Sequence, residues 1–233
     1  RQWMKMGVPN FAVDQAGETY YFSPLNGYVF GVVDCSTRPS KLAAHTYFEM
    51  DGKKGGNNVA SMVWNELERH GLTTGPTVPQ IVLVFDNCAG QNKNRHVLRL
   101  LHIMVARKMT DLARSSFLIK GHTKNDCDRT YNEMKKQYRH ANCYTPEDMC
   151  NFIETSSDNV TMVRVDHFLD WDTYEDKYID RPSLFLKHHV FAVTADKPNI
   201  MQCQEAIGEP VEEIQLVKDQ YHGTDWTADL QLE

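Results

Sequence analysis

The chain has 233 residues, 41% of them hydrophobic, with 25 Lys and Arg against 31 Asp and Glu and a formal net charge of -6. That length and apolar content suffice for one large domain, or one domain with an appendage, and the composition is not that of a disordered chain. No stretch approaches the roughly 20 apolar residues of a membrane span and no signal-peptide core opens the chain, so no membrane partner and an intracellular or nuclear location are expected.

Thr19 to Ser23 and Gly27 to Asp34 read as strands around Pro24-Leu25-Asn26-Gly27, in which Asn26-Gly27 predicts a hairpin turn. Leu42 to Met50 predicts a third strand. Gly55-Gly56-Asn57-Asn58 breaks the chain before Val59, Met62, Val63 and Leu67, one face of a helix ending at Gly71. Ile81-Val82-Leu83-Val84-Phe85 is continuously apolar, which predicts a strand covered on both faces and closed by Asp86. From Asn92 to Lys108, Val97, Leu98, Leu101, Met104 and Val105 recur at helical spacing and leave Lys93, Arg95, Arg99 and Lys108 for the polar side. Ser116 to Lys120 predicts a strand, and Thr123 to Arg139 a helix with Asp126 and Asp128 in its first turns. A helix at Thr145 to Glu154 and strands at Val160 to Val165 and Leu184 to Val193 predict an extension, and the acidic stretch from Glu205 an extended or partly disordered tail.

The resulting order, β-β-β-α-β-α-β-α, is that of the ribonuclease H-like α/β fold, a mixed sheet with helices on both faces. It divides the chain into a core at 1–140, an α+β extension packed on it at 141–200 and an acidic tail at 201–233. In that fold, acids on the first strand, the fourth strand and the last helix converge on divalent metal ions. Asp86 occupies the second of these places, and Asp128 or Asp126 the third.

Charge is unevenly spread: residues 86 to 140 carry 12 Lys and Arg against 5 Asp and Glu, while residues 141 to 233 carry 6 against 19. The basic stretch is what a polyanion-binding surface needs, although exposed helices also accumulate Lys and Arg. It contains two dense segments, Asp86-Asn87-Cys88-Ala89-Gly90-Gln91-Asn92-Lys93-Asn94-Arg95 and Gly121-His122-Thr123-Lys124-Asn125-Asp126-Cys127-Asp128-Arg129. Each follows a predicted strand and opens a predicted helix, where α/β proteins usually build sites. Asn and Asp at such places also cap helices, and Thr123 with Asp126 approximates a capping box.

Six cysteines, Cys35, Cys88, Cys127, Cys143, Cys150 and Cys203, form no C-x-x-C pair, so reduced thiols are expected. His140, Cys143 and Cys150 have no common zinc-finger spacing, and His188-His189 would point to opposite faces of a strand.

These residues resemble an uncharacterised domain family of multicopy, mobile-element-associated eukaryotic proteins with the signatures D-N-C-x-G-Q-N-K-N-R and G-H-T-x-x-x-x-D-R, here Asp86 to Arg95 and Gly121 to Arg129. Tyr20 to Gly31, Glu49 and Gly55 to Ser61 also fit, and the resemblance spans residues 9 to about 195. The family is similar to transposases and integrases of the ribonuclease H-like class. The resemblance implies that Asp86 and Asp128, or Asp126 in its place, hold Mg²⁺ or Mn²⁺ for phosphodiester transfer on DNA. His122 would act on water or phosphate, Asn87, Gln91, Asn92 and Asn94 would orient ligands, and Lys93, Arg95, Lys124 and Arg129 would neutralise the DNA backbone. It places the first-strand acid upstream of Arg1, with Asp34 or Asp14 as internal substitutes and Glu49 as a further ligand, and transposases commonly act as homo-oligomers.

Two other functions fit the same residues. One is a domesticated module that binds nucleic acid or protein without chemistry. The other is a phosphate- or nucleotide-binding enzyme using the Gly90 turn at a helix N-terminus, although that turn matches neither G-x-x-x-x-G-K-[ST] nor G-x-G-x-x-G. A Cys88 nucleophile with His122 as base is a further variant of an enzyme site.

Overall fold

The computed structural model describes residues 3–13, 15, 17–21, 23–88, 91–119, 126–178 and 187–221. Their fold is mixed α/β, with nine strands in two sheets and five α-helices. The chain divides into two compact units, each built from two separate stretches: residues 1–53 with 124–167, and residues 54–123 with 168–233.

In the first unit, β1 (Trp3–Val8), β2 (Leu25–Asp34), β3 (Lys41–Phe48) and β6 (Val160–Arg164) form a sheet in the order β1-β2-β3-β6, antiparallel except for the parallel β3/β6 pair. One face packs against helices α3 (Asp126–Tyr138) and α4 (Pro146–Thr155) through Met4, Met6, Val8, Val29, Leu42, Phe48, Tyr131, Met134, Met149 and Ile153. Cys127, Tyr131 and Met134 are the buried stripe of α3, at the spacing that puts side chains on one face of a helix. A Thr145–Asp148 capping box, with Pro146 in the first turn, starts α4. Asn10 closes the other end of α3, its Nδ2 donating to the carbonyls of Tyr138 and Ala141, both at 2.7 Å.

The β-β-β start survives with a different first member. Thr19 to Ser23 is not a strand: Gly17–Tyr21 is a short 3₁₀ turn, and the third strand of this set is Trp3–Val8. Asn26-Gly27 is not a hairpin turn either. Both lie within β2, where Asn26 opposes Gly7 and Gly27 opposes both Met6 and Phe48.

In the second unit the sheet order is β4-β5-β7-β8-β9, from β4 (Ile81–Asp86), β5 (Leu112–Leu118), β7 (Val190–Thr194), β8 (Lys197–Gln204) and β9 (Glu212–Gln215). Only β4 and β5 run parallel, joined by α2 (Arg95–Ala106), and the rest are antiparallel. Helix α2 is buried from His96 to Val105, contacting β5, β7 and β8 as well as α1 (Gly56–Arg69) and α5 (Trp171–Tyr178). Trp171 anchors α5: its ring meets Trp64 at 5.7 Å, its Nε1 donates to Ser61 Oγ at 3.0 Å and its N–H to Asn57 Oδ1 at 2.9 Å. β4 is covered on one face only, since Ile81 and Phe85 are buried while Val82 and Val84 remain 47% and 53% exposed.

Strands expected in one mixed sheet thus hydrogen-bond in two. The acidic stretch from Glu205 includes β9, paired with β8, and no helix among the described residues is long and apolar enough to cross a membrane.

Candidate functional site

The first signature is a turn that its own polar groups hold. Asp86 ends β4, and its carbonyl accepts from Cys88 N–H at 2.8 Å and from Asn92 Nδ2 at 3.2 Å. The Cys88 carbonyl accepts from the N–H groups of Gln91, Asn92 and Lys93 at 3.1, 2.8 and 3.0 Å. Asn94 is the N-cap of α2: Oδ1 accepts from His96 and Val97 N–H at 3.0 and 3.2 Å, and Nδ2 donates to the Gln91 carbonyl at 2.7 Å.

This architecture corrects several ligand-contact expectations. Asn92 and Lys93 are 1% and 2% exposed, so neither offers a surface to nucleic acid. Lys93 Nζ lies 5.9 Å from the centre of the Phe117 ring, and burial pushes its ammonium below the ordinary lysine range. Asn92 Oδ1 is buried without a hydrogen-bond partner among the described residues. Asn94 is committed to the helix cap. Arg95 is held by Asp172 of α5, whose carboxylate also lies 3.6 Å from His96 Nε2, and Arg99, expected on a polar face, is fully buried with Asp176 at 3.8 Å. Besides Asn94 and Arg95, Asp86, Cys88 and Gln91 of this signature are partly exposed and Asn87 is exposed.

Asp86 makes no side-chain hydrogen bond or ion pair among the described residues. Its register partner is Leu118, the last residue of β5, so Asp86 lies at the carboxyl end of the parallel β4/β5 pair, and in sequence the second signature follows β5. His122 and Lys124 of the second signature, like Asp14, lie outside the described residues.

Next to Asp86, Asn87 Nδ2 lies 3.3 Å from His189 Nε2, and His189 Nδ1 lies 3.0 Å from the Glu205 carbonyl. Sequence reasoning assigned no role here to His189, which enters β7 and whose carbonyl accepts from Phe117 N–H at 2.8 Å. Its neighbour His188 is buried beside Glu212, at 3.2 Å, so the two imidazoles serve different partners.

The remaining acids belong to the first unit. Asp126 and Asp128 lie in the first turn of α3. Asp126 accepts from Ser40 Oγ at 2.9 Å and pairs with the 76% exposed Arg129 at 3.3 Å. Between the two acids, Cys127 turns inward, its Sγ 3.7 Å from the Gly31 carbonyl, and burial pushes its thiol up to about 12. Asp34 shares that end of the β2/β3 pair, opposite Lys41, and its carboxylate accepts from Ser36 N–H at 2.8 Å. Glu49 is at the other end of the same pair. Its N–H donates to the Asn26 carbonyl at 2.9 Å, and the Asn26 side chain holds its carboxyl below the usual range. Some seven residues of strand separate Asp34 from that end, on the order of 25 Å, so Glu49 cannot join Asp34 and Asp126 around one ion.

Among the described residues no three His, Cys, Asp or Glu side chains form a metal-holding group. Asp86 nevertheless suits a hard cation such as Mg²⁺, which takes one or two carboxylates and retains several waters. Asp126 suits it less, because Ser40 and Arg129 already engage both its oxygens.

The described fold is therefore that of a mixed α/β protein with a free acid at the carboxyl end of a parallel strand pair. The chain belongs to the family described as Domain of unknown function (DUF7869), which matches residues 20–207 and so includes both signatures, His189 and Glu205. No curated protein and no solved structure matches it.

Proposed function

We propose that the chain is a mobile-element-derived module that transfers or cleaves DNA phosphodiesters with Mg²⁺ or Mn²⁺ at Asp86. The observation that carries this reading is the Asp86 carboxylate, without a partner among the described residues, at the carboxyl end of the parallel β4/β5 pair. An acid that makes no side-chain bond among the described residues, beside a dense polar turn, is the expected state of a ligand-binding acid. The β-β-β-α-β-α-β-α order from β1 to α3 agrees with the ribonuclease H-like class. The cation would offset charge on the phosphate oxygens, while Gln91 and Asn87 supply neutral hydrogen-bonding groups beside it. Asp128 and His122 are the next residues to test in the same reaction.

The test is Mn²⁺ binding by calorimetry and nicking of supercoiled DNA, comparing the chain with Asp86→Asn and Asp128→Asn. Loss of both signals in Asp86→Asn supports the reading. Metal affinity and nicking unchanged in Asp86→Asn overturn it.

A second reading, a binding module without chemistry, draws on the commitment of Lys93 to the interior and of Arg95 to Asp172, which leaves the first signature few cations for a phosphate backbone. It predicts DNA or protein binding that neither metal nor Asp86→Asn alters.

A further inference from the structure

We infer that His189, a residue of neither signature, is the positioning residue that orients Asn87 beside Asp86. The role rests on the reading of Asp86 as the metal-holding acid and adds to it a support from the far end of the unit's sequence.

The geometry defines the state of the ring. A backbone carbonyl can only accept, so the 3.0 Å approach of His189 Nδ1 to the Glu205 oxygen puts a proton on Nδ1. In the neutral ring Nε2 is then the acceptor, matched to the Asn87 Nδ2 donor at 3.3 Å. The chain of bonds runs from Asn87 to His189 to the Glu205 carbonyl, and each member has a complementary partner. It fixes the Asn87 amide so that Oδ1 is its remaining acceptor, a neutral oxygen next in sequence to the Asp86 carboxylate.

His189 is itself held rigidly. Its carbonyl accepts from Phe117 N–H at 2.8 Å and its N–H donates to the Gln204 carbonyl at 2.9 Å, so the backbone carrying the ring is bonded to β5 on one side and to β8 on the other. A ring on such a support loses little freedom when it holds Asn87. His189 would act as an outer partner, not a ligand, and losing a group that orients the residues around a metal typically costs about 10- to 100-fold in affinity. The family match ends at residue 207, just past Glu205, so all three members of the chain of bonds lie inside the shared domain.

The experiment uses the whole chain with His189→Phe, which keeps an aromatic ring but neither nitrogen, and His189→Gln, which can still accept from Asn87 and donate to Glu205. Imidazole ¹⁵N spectra without metal should show His189 as the Nδ1–H tautomer, with its Nε2 resonance shifted by Asn87→Ala. Mn²⁺ affinity per folded molecule should fall at least about 10-fold in His189→Phe and recover most of that in His189→Gln, at unfolding midpoints that stay together. An Nε2–H tautomer overturns the inference. So does a His189→Phe protein that binds Mn²⁺ as the unmodified chain does while Asp86→Asn does not, and in that case the metal reading stands. Mn²⁺ binding indifferent to Asp86→Asn removes the metal reading itself and this role with it.

Discussion

Asp86 and Leu118 face each other across the last rung of the parallel β4/β5 ladder, so the first signature leaves the sheet at the carboxyl ends of its two parallel strands. Among the described residues the Asp86 carboxylate contributes no bond to that ladder or to the turn after it; the turn uses its carbonyl instead. Asp86→Asn should therefore leave the urea midpoint almost unchanged, within about 0.5 kcal/mol of stability, while removing metal-dependent function. A loss above about 2 kcal/mol would show that the acid is structural.

Gly56 and Asn94 form a second junction that the signature depends on. A Cβ at position 56 would lie 2.5 Å from Asn94 Oδ1 and 2.6 Å from its Cγ, while a Cβ at Gly55 meets open space. Gly56→Ala must displace the side chain that caps α2, so it should cost at least the roughly 1 kcal/mol of a lost N-cap, as Asn94→Ala does. Gly55→Ala, with φ -158° and ψ 171° at that position, should be nearly neutral. Thermal unfolding of the three variants checks this order, and equal stability of Gly55→Ala and Gly56→Ala would contradict it.

How far residues could be read from sequence depended on how local their determinants are. β4 and α2 were legible because Ile81 to Phe85 and Val97 to Val105 carry their own periodicity. Asn26-Gly27 misled because its conformation is decided by Met6, Phe48 and Met149. A Cβ at Gly27 would come within 2.5 Å of the Met149 sulfur, so glycine serves close packing inside a strand and no turn forms. The approximate start of α2 was visible, but Asn94 as its cap was hidden among the other amides of the motif. Arg95 and Asn87 read as free ligand groups because their partners, Asp172 and His189, lie 77 and 102 residues further on. The His188-His189 pair was a visible signal whose meaning only the sheet pairing supplies.

Asp172 and Asp176, one helical turn apart on α5, face Arg95 and Arg99, one turn apart on α2, and the two pairs should contribute unequally. Arg95 and Asp172 are both partly solvated, with side chains 30% and 50% exposed, so Asp172→Asn should cost at most about 1 kcal/mol. Arg99 is fully buried, and weakening its compensation with Asp176→Asn should cost about 1 to 3 kcal/mol. Asp172→Asn should also free Arg95 and strengthen binding to a DNA duplex, with a steeper salt dependence. Denaturation midpoints and fluorescence anisotropy test the two parts separately, and weaker DNA binding by Asp172→Asn would argue against any competition for Arg95.

His102 lies in the middle of α2, 1% exposed, and burial pushes its imidazole from 6.5 down to about 4 against a smaller opposing effect of Asn199. The folded state thus holds the ring neutral where the unfolded chain would protonate it. This contribution to stability is complete above pH 6.5 and is lost as the pH falls from there towards 4, by about 3 kcal/mol in total. Carboxyls held below their ordinary range, such as Glu49 and Asp148, lose their contributions only as the pH falls towards and below 4, so the upper part of the window isolates the histidine. In His102→Gln the fall in stability between pH 6.5 and 5 should flatten, whatever the variant's stability at pH 7. A slope identical to that of the unmodified chain would mean that another group takes up the proton on unfolding.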